Sequence, residues 1–148
     1  MNLNTSKLHE EVMEAWNRHD AGKLATYYDE NITWRDPAFP ETLKGKDAVM
    51  NVFKVWDTAF PDFKLKVLTK LVEEDTIAFE MEFTGTHTGP LNVPGMEIPP
   101  TNRKVSDLIG CFSKVRNGKV VEVHNFTNPQ SMMVQLGVQP AHAEQHTF

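Results

Sequence analysis

Four long β-like stretches fill the second half of the chain, and they constrain its fold more than any other feature. They run over Phe63 to Val72, Thr76 to His87, Lys104 to Val115 and Val120 to Thr127. Asn117-Gly118 separates the last two stretches, and this dipeptide is a strong signal for a tight hairpin turn. Consecutive strands joined by short turns pair as antiparallel neighbours. The pattern therefore predicts an antiparallel meander.

Helical patterns come before these strands. In the first helix, apolar residues recur at helical spacing up to a turn at residues 19–22: Leu8, Val12, Ala15 and Trp16. In the next long helix, which begins beyond Gly45, the apolar face is formed by Val49, Phe53, Trp56 and Phe60. A short helix, 24–28, and a short strand, 31–35, lie between them. Helices followed by antiparallel strands predict an α+β fold with the helices packed on one side of a curved sheet.

Two segments have no clear period. Residues 88 to 102 are rich in Gly and Pro, which predicts a long loop between two paired strands, and long loops on rigid scaffolds often carry function. A short helix from Ser131 to Leu136 ends at Gly137, and we expect residues 138–148 to form a flexible tail. No repeat or linker divides the chain, so we interpret residues 1–148 as one domain.

Composition excludes several classes of function. The formal net charge is −5 and the Lys and Arg residues are scattered, so the chain lacks the basic patch that binds nucleic acid. No stretch approaches the roughly 20 apolar residues of a membrane span, and the N-terminus lacks a signal-peptide pattern, so we expect a cytoplasmic protein without a membrane partner. Cys111 is the only cysteine, which excludes an internal disulfide and favours a buried packing role. His142 and His146 are four apart, a spacing that binds metal on a helix, but they lie in the expected tail, and we expect neither a metal nor a cofactor.

Several phrases occur in the order found in a known family. They are Gly85-Thr86-His87-Thr88-Gly89-Pro90, Asn117-Gly118-Lys119-Val120-Val121-Glu122 and Gln135-Leu136-Gly137. With them, the chain resembles the SnoaL-like polyketide cyclases from its first helix to Gly137. The resemblance implies a cone-shaped fold of the nuclear transport factor 2-like superfamily, in which a curved sheet wraps around a long helix and encloses a pocket. It also implies a homodimer through the open face of the sheet, where we expect Val121 and Val123 to be exposed.

The resemblance implies cofactor-free chemistry on a small hydrophobic carbonyl compound, with one departure from the family. In these cyclases an aspartate shortly before the Gln-Leu-Gly triplet is the acid/base of an aldol ring closure, and this chain has Asn128 there. An amide does not take a proton from carbon at neutral pH. Two hypotheses follow. Either the chain is a cyclase or isomerase with another base, or it is a non-catalytic protein that binds a small molecule.

Two places offer another base. Strand alternation puts Glu122, His124 and Phe126 on the side of Asn128, so they are predicted to line the pocket, with Glu122 orienting His124. A solvated Glu122 and a structural His124 are the alternative. Asp36 follows a strand in the phrase Trp34-Arg35-Asp36-Pro37, which is similar to the ketosteroid isomerase segment that holds its general base. An Asp before Pro is also a common turn former.

Steroid isomerisation itself is disfavoured by the sequence. That isomerase needs an oxyanion hole made of a tyrosine and a protonated aspartate, and Val12 and Gly110 stand at those positions.

The remaining candidates would bind substrate. Trp34, Trp56 and Phe60 are predicted to line one cavity of roughly 300–1,000 Å³, although core packing is the default for each one singly. His87 stands at a strand end, where it contacts a ligand oxygen or bonds across the strand break. Asp107 lies beside apolar strand residues, either inside the pocket or at a solvated edge.

Overall fold

The computed structural model describes residues 3–139, which form four helices and eight strands. In chain order they are α1 (Leu3–Asn17), α2 (Ala21–Ala25), β1 (Tyr28–Arg35), β2 (Leu43–Lys44), α3 (Lys46–Ala59), β3 (Lys64–Glu73), β4 (Thr76–Thr86), β5 (Leu91–Val93), β6 (Met96–Ile98), β7 (Lys104–Arg116), β8 (Lys119–Phe126) and α4 (Pro129–Gln135). The predicted tail falls largely outside the described residues, as do His142 and His146.

Six strands form one sheet in the order β2-β1-β8-β7-β4-β3, and every pairing is antiparallel except that of β1 with β8. The predicted meander is confirmed by the antiparallel pairs β3–β4, β4–β7 and β7–β8. Asn117 and Gly118 both have positive φ, 53° and 74°, as a tight hairpin turn of this kind requires. The α+β prediction is therefore confirmed.

Helices α1 and α3 cover one face of this sheet. Helix α1 contacts β3 and β4, and α3 contacts β1. Strand β4 alternates strictly, with four buried apolar side chains that point toward the helices: Ile77, Phe79, Met81 and Phe83. Burial of each such side chain stabilises the fold by about 1.5–3 kcal/mol. No helix within residues 3–139 is long and apolar enough to cross a membrane.

Two local predictions are wrong. The segment predicted as a loop contains a hairpin, β5–β6, because three-residue strands are too short to show a period of two. The short helix was expected at 24–28 but ends at Ala25, because the side chain of Asp20 accepts a hydrogen bond from Lys23 N at 2.9 Å and starts the helix earlier. Tyr28 instead begins β1 and pairs with Val120.

Candidate functional site

A cavity of about 280 Å³ lies between the sheet and the helices. Strands β4, β7 and β8, helices α1 and α3 and the β5–β6 hairpin supply its mostly apolar walls. All three tryptophans of the chain line it: Trp16, Trp34 and Trp56. The cavity is slightly smaller than the range expected from the sequence, and it has the apolar character of a small-molecule site.

Asp36 lies on the cavity wall directly after β1, where three neutral groups hold its carboxylate. Oδ1 accepts a hydrogen bond from Ala38 N at 2.8 Å and a longer one from the Thr127 hydroxyl at 3.4 Å. Oδ2 accepts from Asn125 Nδ2 at 3.1 Å. The bond to Ala38 is an Asx turn, so the turn-forming role predicted as the alternative is present together with the position on the cavity wall.

Asn125 orients its amide toward Asp36. A carboxylate accepts and does not donate, so the nitrogen of the Asn125 amide must face Asp36 and its oxygen must point elsewhere. Asn125 is buried and lines the cavity, and its Oδ1 has no hydrogen-bond partner within the described part of the chain. The site therefore contains a fixed acceptor beside the candidate base.

The side chain of Asn128 caps helix α4. Its Oδ1 accepts from Ser131 N at 3.2 Å, while the residue also borders the cavity. Asp107 lies on the same wall, and its Oδ1 accepts from Ser131 Oγ at 2.7 Å and from Gln135 Nε2 at 2.8 Å. Asn128 thus starts α4, and Asp107 anchors that helix to the sheet at one side of the cavity.

The predicted face of β8 is wrong for Glu122, His124 and Phe126, which lie on the outer side of the sheet. A bulge at Val121 adds one residue to β8 opposite the Lys114–Val115 pair, and a one-residue insertion reverses which side chains face inward. As a result Val120, Val123 and Asn125 line the cavity, and the three predicted residues do not. The strand also ends before Asn128, so alternation could not be counted back from that residue.

On the outer face, His124 accepts a hydrogen bond at Nδ1 from Arg35 Nη2 at 2.9 Å, and its ring lies 4.2 Å from that of Phe126. Phe126 also contacts Phe112 edge-on at 6.0 Å between ring centroids. Val123, expected on this face, is buried on the opposite one. The outer face therefore presents an aromatic cluster, and Val123 is not part of it.

Phe60 and His87 belong to the core and do not line the cavity. Phe60 is fully buried, and its ring lies 5.3 Å from that of His87. His87 Nδ1 accepts from Thr101 N at 3.2 Å and lies 2.9 Å from Thr101 Oγ1. Burial lowers the pKa of His87. Its role is the predicted alternative, a hydrogen bond across the break between strands.

Sequence reasoning missed the polar residues that α1 and β1 contribute to the cavity. His9 is buried against Phe79, with ring centroids 4.3 Å apart, and burial lowers its pKa to about 4. Tyr28 accepts a hydrogen bond from Trp16 Nε1 at 2.9 Å, and burial raises its pKa. His9 stands at helical spacing with Val12 and Trp16, and this signal could have placed it on the buried face.

Cys111 also lines the cavity, and its surroundings make it unreactive. Burial raises the pKa of its thiol to about 12, so it stays protonated at neutral pH. Within residues 3–139, no three His, Cys, Asp or Glu side chains converge closely enough to hold a metal ion.

Comparison with known proteins identifies the family. The model of the SnoaL-like polyketide cyclases matches residues 7–136. This chain belongs to the SnoaL-like polyketide cyclase family. The prediction from the sequence phrases is therefore confirmed. A comparison with curated protein sequences gives no match.

Solved structures agree with this assignment. AclR from Streptomyces galilaeus, a proposed hydroxylase, is 29% identical with a TM-score of 0.77, over 92% of this chain and 82% of that one. IdmH from Streptomyces antibioticus, a proposed polyketide cyclase, is 24% identical with a TM-score of 0.73, over 90% and 99%. A nuclear transport factor 2-like protein of unknown function from Cytophaga hutchinsonii is 16% identical with a TM-score of 0.64, over 90% and 97%. The nuclear transport factor 2-like fold is confirmed for this SnoaL-like protein.

Proposed function

We propose that this SnoaL-like protein catalyses cofactor-free proton transfer at a carbon next to a carbonyl group in a small hydrophobic compound. Asp36 is the base in this proposal. The observation that carries it is the position of the Asp36 carboxylate on the wall of a mostly apolar cavity, where neutral donors from Ala38, Asn125 and Thr127 hold it in one orientation. Such orientation is what a base needs in order to reach a C–H bond.

In the proposed step, an oxygen of Asp36 takes the proton, and the C–H electron pair moves into the carbonyl group to give an enolate. The Trp34 Nε1–H, a buried donor without a partner in the described chain, is suited to stabilise the enolate oxygen. In a conjugated substrate the proton then returns to a different carbon of the dienolate, which shifts the double bond; otherwise the enolate carbon attacks a second carbonyl of the same molecule. In the second case a C–C bond forms, and Asp36 returns the proton to the new alkoxide.

The second candidate is a binding protein without catalysis. Asn128 favours it, because the residue that replaces the family's aspartate uses its side-chain oxygen to cap α4. Nothing at that position takes a proton, so catalysis depends wholly on Asp36.

Deuterium exchange at C2 of 1-tetralone, a bicyclic ketone, separates the two candidates. We expect the wild-type protein in D₂O to accelerate this exchange above the buffer rate, and Asp36→Asn to slow it by about 10²–10⁴-fold, the usual contribution of general base catalysis. Asp107→Asn is the matched control, because it changes the cavity's other carboxylate and keeps an acceptor for α4. We expect it to retain exchange.

Binding is measured in the same samples by quenching of the three cavity tryptophans. If wild type and Asp36→Asn both bind the ketone and neither exceeds the buffer rate, the binding protein replaces the enzyme as the conclusion. The mass spectra that report exchange also reveal any product with an added oxygen atom. Such a product would point to hydroxylation, the activity proposed for AclR.

A further inference from the structure

Three residues of the cavity wall carry a buried polar atom without a hydrogen-bond partner. They are His9 at Nε2, Trp34 at Nε1 and Asn125 at Oδ1, and only one other such side-chain atom, on His87, occurs within residues 3–139. Leaving a buried polar atom unpaired costs stability. Three of the four belong to cavity-lining residues, so a ligand that pairs with them after a small movement of these side chains would remove this cost.

His9 and Asp36 contact two strands of the cavity wall, β4 and β8, that are separated by β7. Its ring packs on Phe79, Phe79 pairs with Cys111 on the next strand, and Cys111 pairs with Asn125, which bonds to Asp36. Two strand spacings therefore separate Phe79 from Asn125, about 10 Å in a sheet. The width of a small fused-ring compound spans a gap of this order, with His9 at one end and Asp36 at the other.

The chemistry of His9 suits a neutral oxygen at that end. The side chain is 5% exposed, and burial, with a smaller contribution from the Lys70 ammonium, keeps its pKa well below neutral pH. A neutral imidazole has one donor and one acceptor nitrogen, and a hydroxyl group pairs with either. Most of the remaining wall at this end is apolar, including Val12, Met13 and Phe79.

We infer that His9 is a specificity-determining residue that binds a hydroxyl or carbonyl oxygen at the end of the ligand opposite Asp36. The inference rests on the proposed function only in assigning the reacting end of the ligand to Asp36. It adds that the preferred ligand carries oxygen at both ends of an apolar body.

The test compares two ketones that differ only at the far end, 1-tetralone and 6-hydroxy-1-tetralone. Affinities are measured by tryptophan quenching on the full chain for wild type, His9→Leu and His9→Asn, with thermal melting to verify folding. We expect wild type to bind the hydroxylated ketone about five- to tenfold more tightly, the effect of one net hydrogen bond. His9→Leu should lose this preference, and His9→Asn, which keeps a polar group, should retain part of it.

The ratio of the two affinities is the decisive readout, because a purely structural role of His9 would change both affinities together. Three results would overturn the inference. They are equal affinities of wild type for the two ketones, an affinity ratio that persists in His9→Leu, and no binding of either ketone. Deuterium exchange of 1-tetralone is measured in parallel. Absent exchange with an intact affinity ratio would reject the proposed function alone, and intact exchange with equal affinities would reject the role of His9 alone.

Discussion

At the scale of single residues, the pKa of His9 predicts how stability depends on pH. Burial lowers this pKa from 6.5 to about 4, so between these values the unfolded chain binds a proton that the folded chain excludes. The protonation of His9 therefore does not reduce the free energy of unfolding above about pH 6.5. As the pH falls below this value the free energy of unfolding decreases, by about 3 kcal/mol near pH 4.

Urea unfolding of wild type and His9→Leu at pH 7 and pH 4.5 measures this effect. The variant should lose much less stability than wild type between the two conditions. The lowered pKa of His87 acts in the same direction in both proteins and cancels in the comparison. An equal loss in both proteins would assign the acid sensitivity to groups other than His9.

Asn125 gives a second prediction at this scale. Its amide is the donor to Asp36 Oδ2, so Asn125→Leu should free that oxygen and slow exchange of 1-tetralone by about tenfold, the effect of one lost hydrogen bond. The apolar replacement also removes the unpaired Asn125 oxygen, which partly offsets the stability cost of the bond lost to Asp36. Thr127→Val is the control, since its bond to Asp36 is long at 3.4 Å and should matter less. Equal rates in wild type and Asn125→Leu would contradict the orienting role.

At the scale of elements, the phrases that revealed the family prove to be structural. Gln135 donates to Asp107 and exchanges hydrogen bonds with the backbone of Ser106, which ties α4 to β7. Gly137 ends that segment with a φ of 80°. In the phrase from Gly85 to Pro90, a Cβ on Gly89 would lie only 2.0 Å from Thr58 O at the end of α3. These phrases therefore identify the fold, and their titratable residues His87 and Glu122 do not line the cavity.

Gly89 makes this point testable. Gly89→Ala should destabilise the fold by about 2 kcal/mol or more, because the added methyl group meets backbone that cannot move without shifting α3. Gly22→Ala is the matched control, since Gly22 lies in α2 and its Cβ would meet nothing closer than 3.7 Å. That change should stabilise the protein by up to about 1 kcal/mol. Thermal melting distinguishes the two, and similar melting temperatures would contradict the close approach.

The sequence predicted elements well where a period extended over many residues. Strands β3, β4, β7 and β8 were found because their alternation is long and Asn117-Gly118 marks a turn. The site was predicted only in part. Asp36 was proposed because its phrase follows a strand and is similar to a ketosteroid isomerase segment, but the bulge at Val121 has no sequence signal and reversed the expected face of His124. His9 was missed because the pattern of an amphipathic helix does not tell a core position from a cavity wall.

At the scale of the whole molecule, the outer face of the sheet predicts assembly. Phe112 and Phe126 are 51% and 50% exposed there, and they contact each other and His124. We propose that two copies of the chain pair through this face, because a self-complementary apolar patch is buried most simply by a twofold axis. The dimer is thus expected on the predicted face, with aromatic residues where Val123 had been expected.

Analytical ultracentrifugation at micromolar concentration should give twice the 16.8 kDa mass of the chain. Replacing Phe112 and Phe126 together with Glu should give the monomer, because burying two carboxylates at the interface is costly. Val138→Glu, at another exposed apolar residue, should leave the dimer intact. A monomeric wild type would reject this assembly.

The β5–β6 hairpin is a two-stranded sheet that pairs with no strand of the main sheet. Leu91 and Ile98 are buried at its base, whereas Val93, Pro94 and Met96 border the cavity near a turn at Gly95. The hairpin shares no strand-to-strand hydrogen bonds with the six-stranded sheet. Its tip can therefore change in length and composition while the rest of the fold stays intact. Substitutions in this hairpin can thus alter ligand preference in small steps. It is the segment to exchange or randomise in order to make the cavity bind a different ligand.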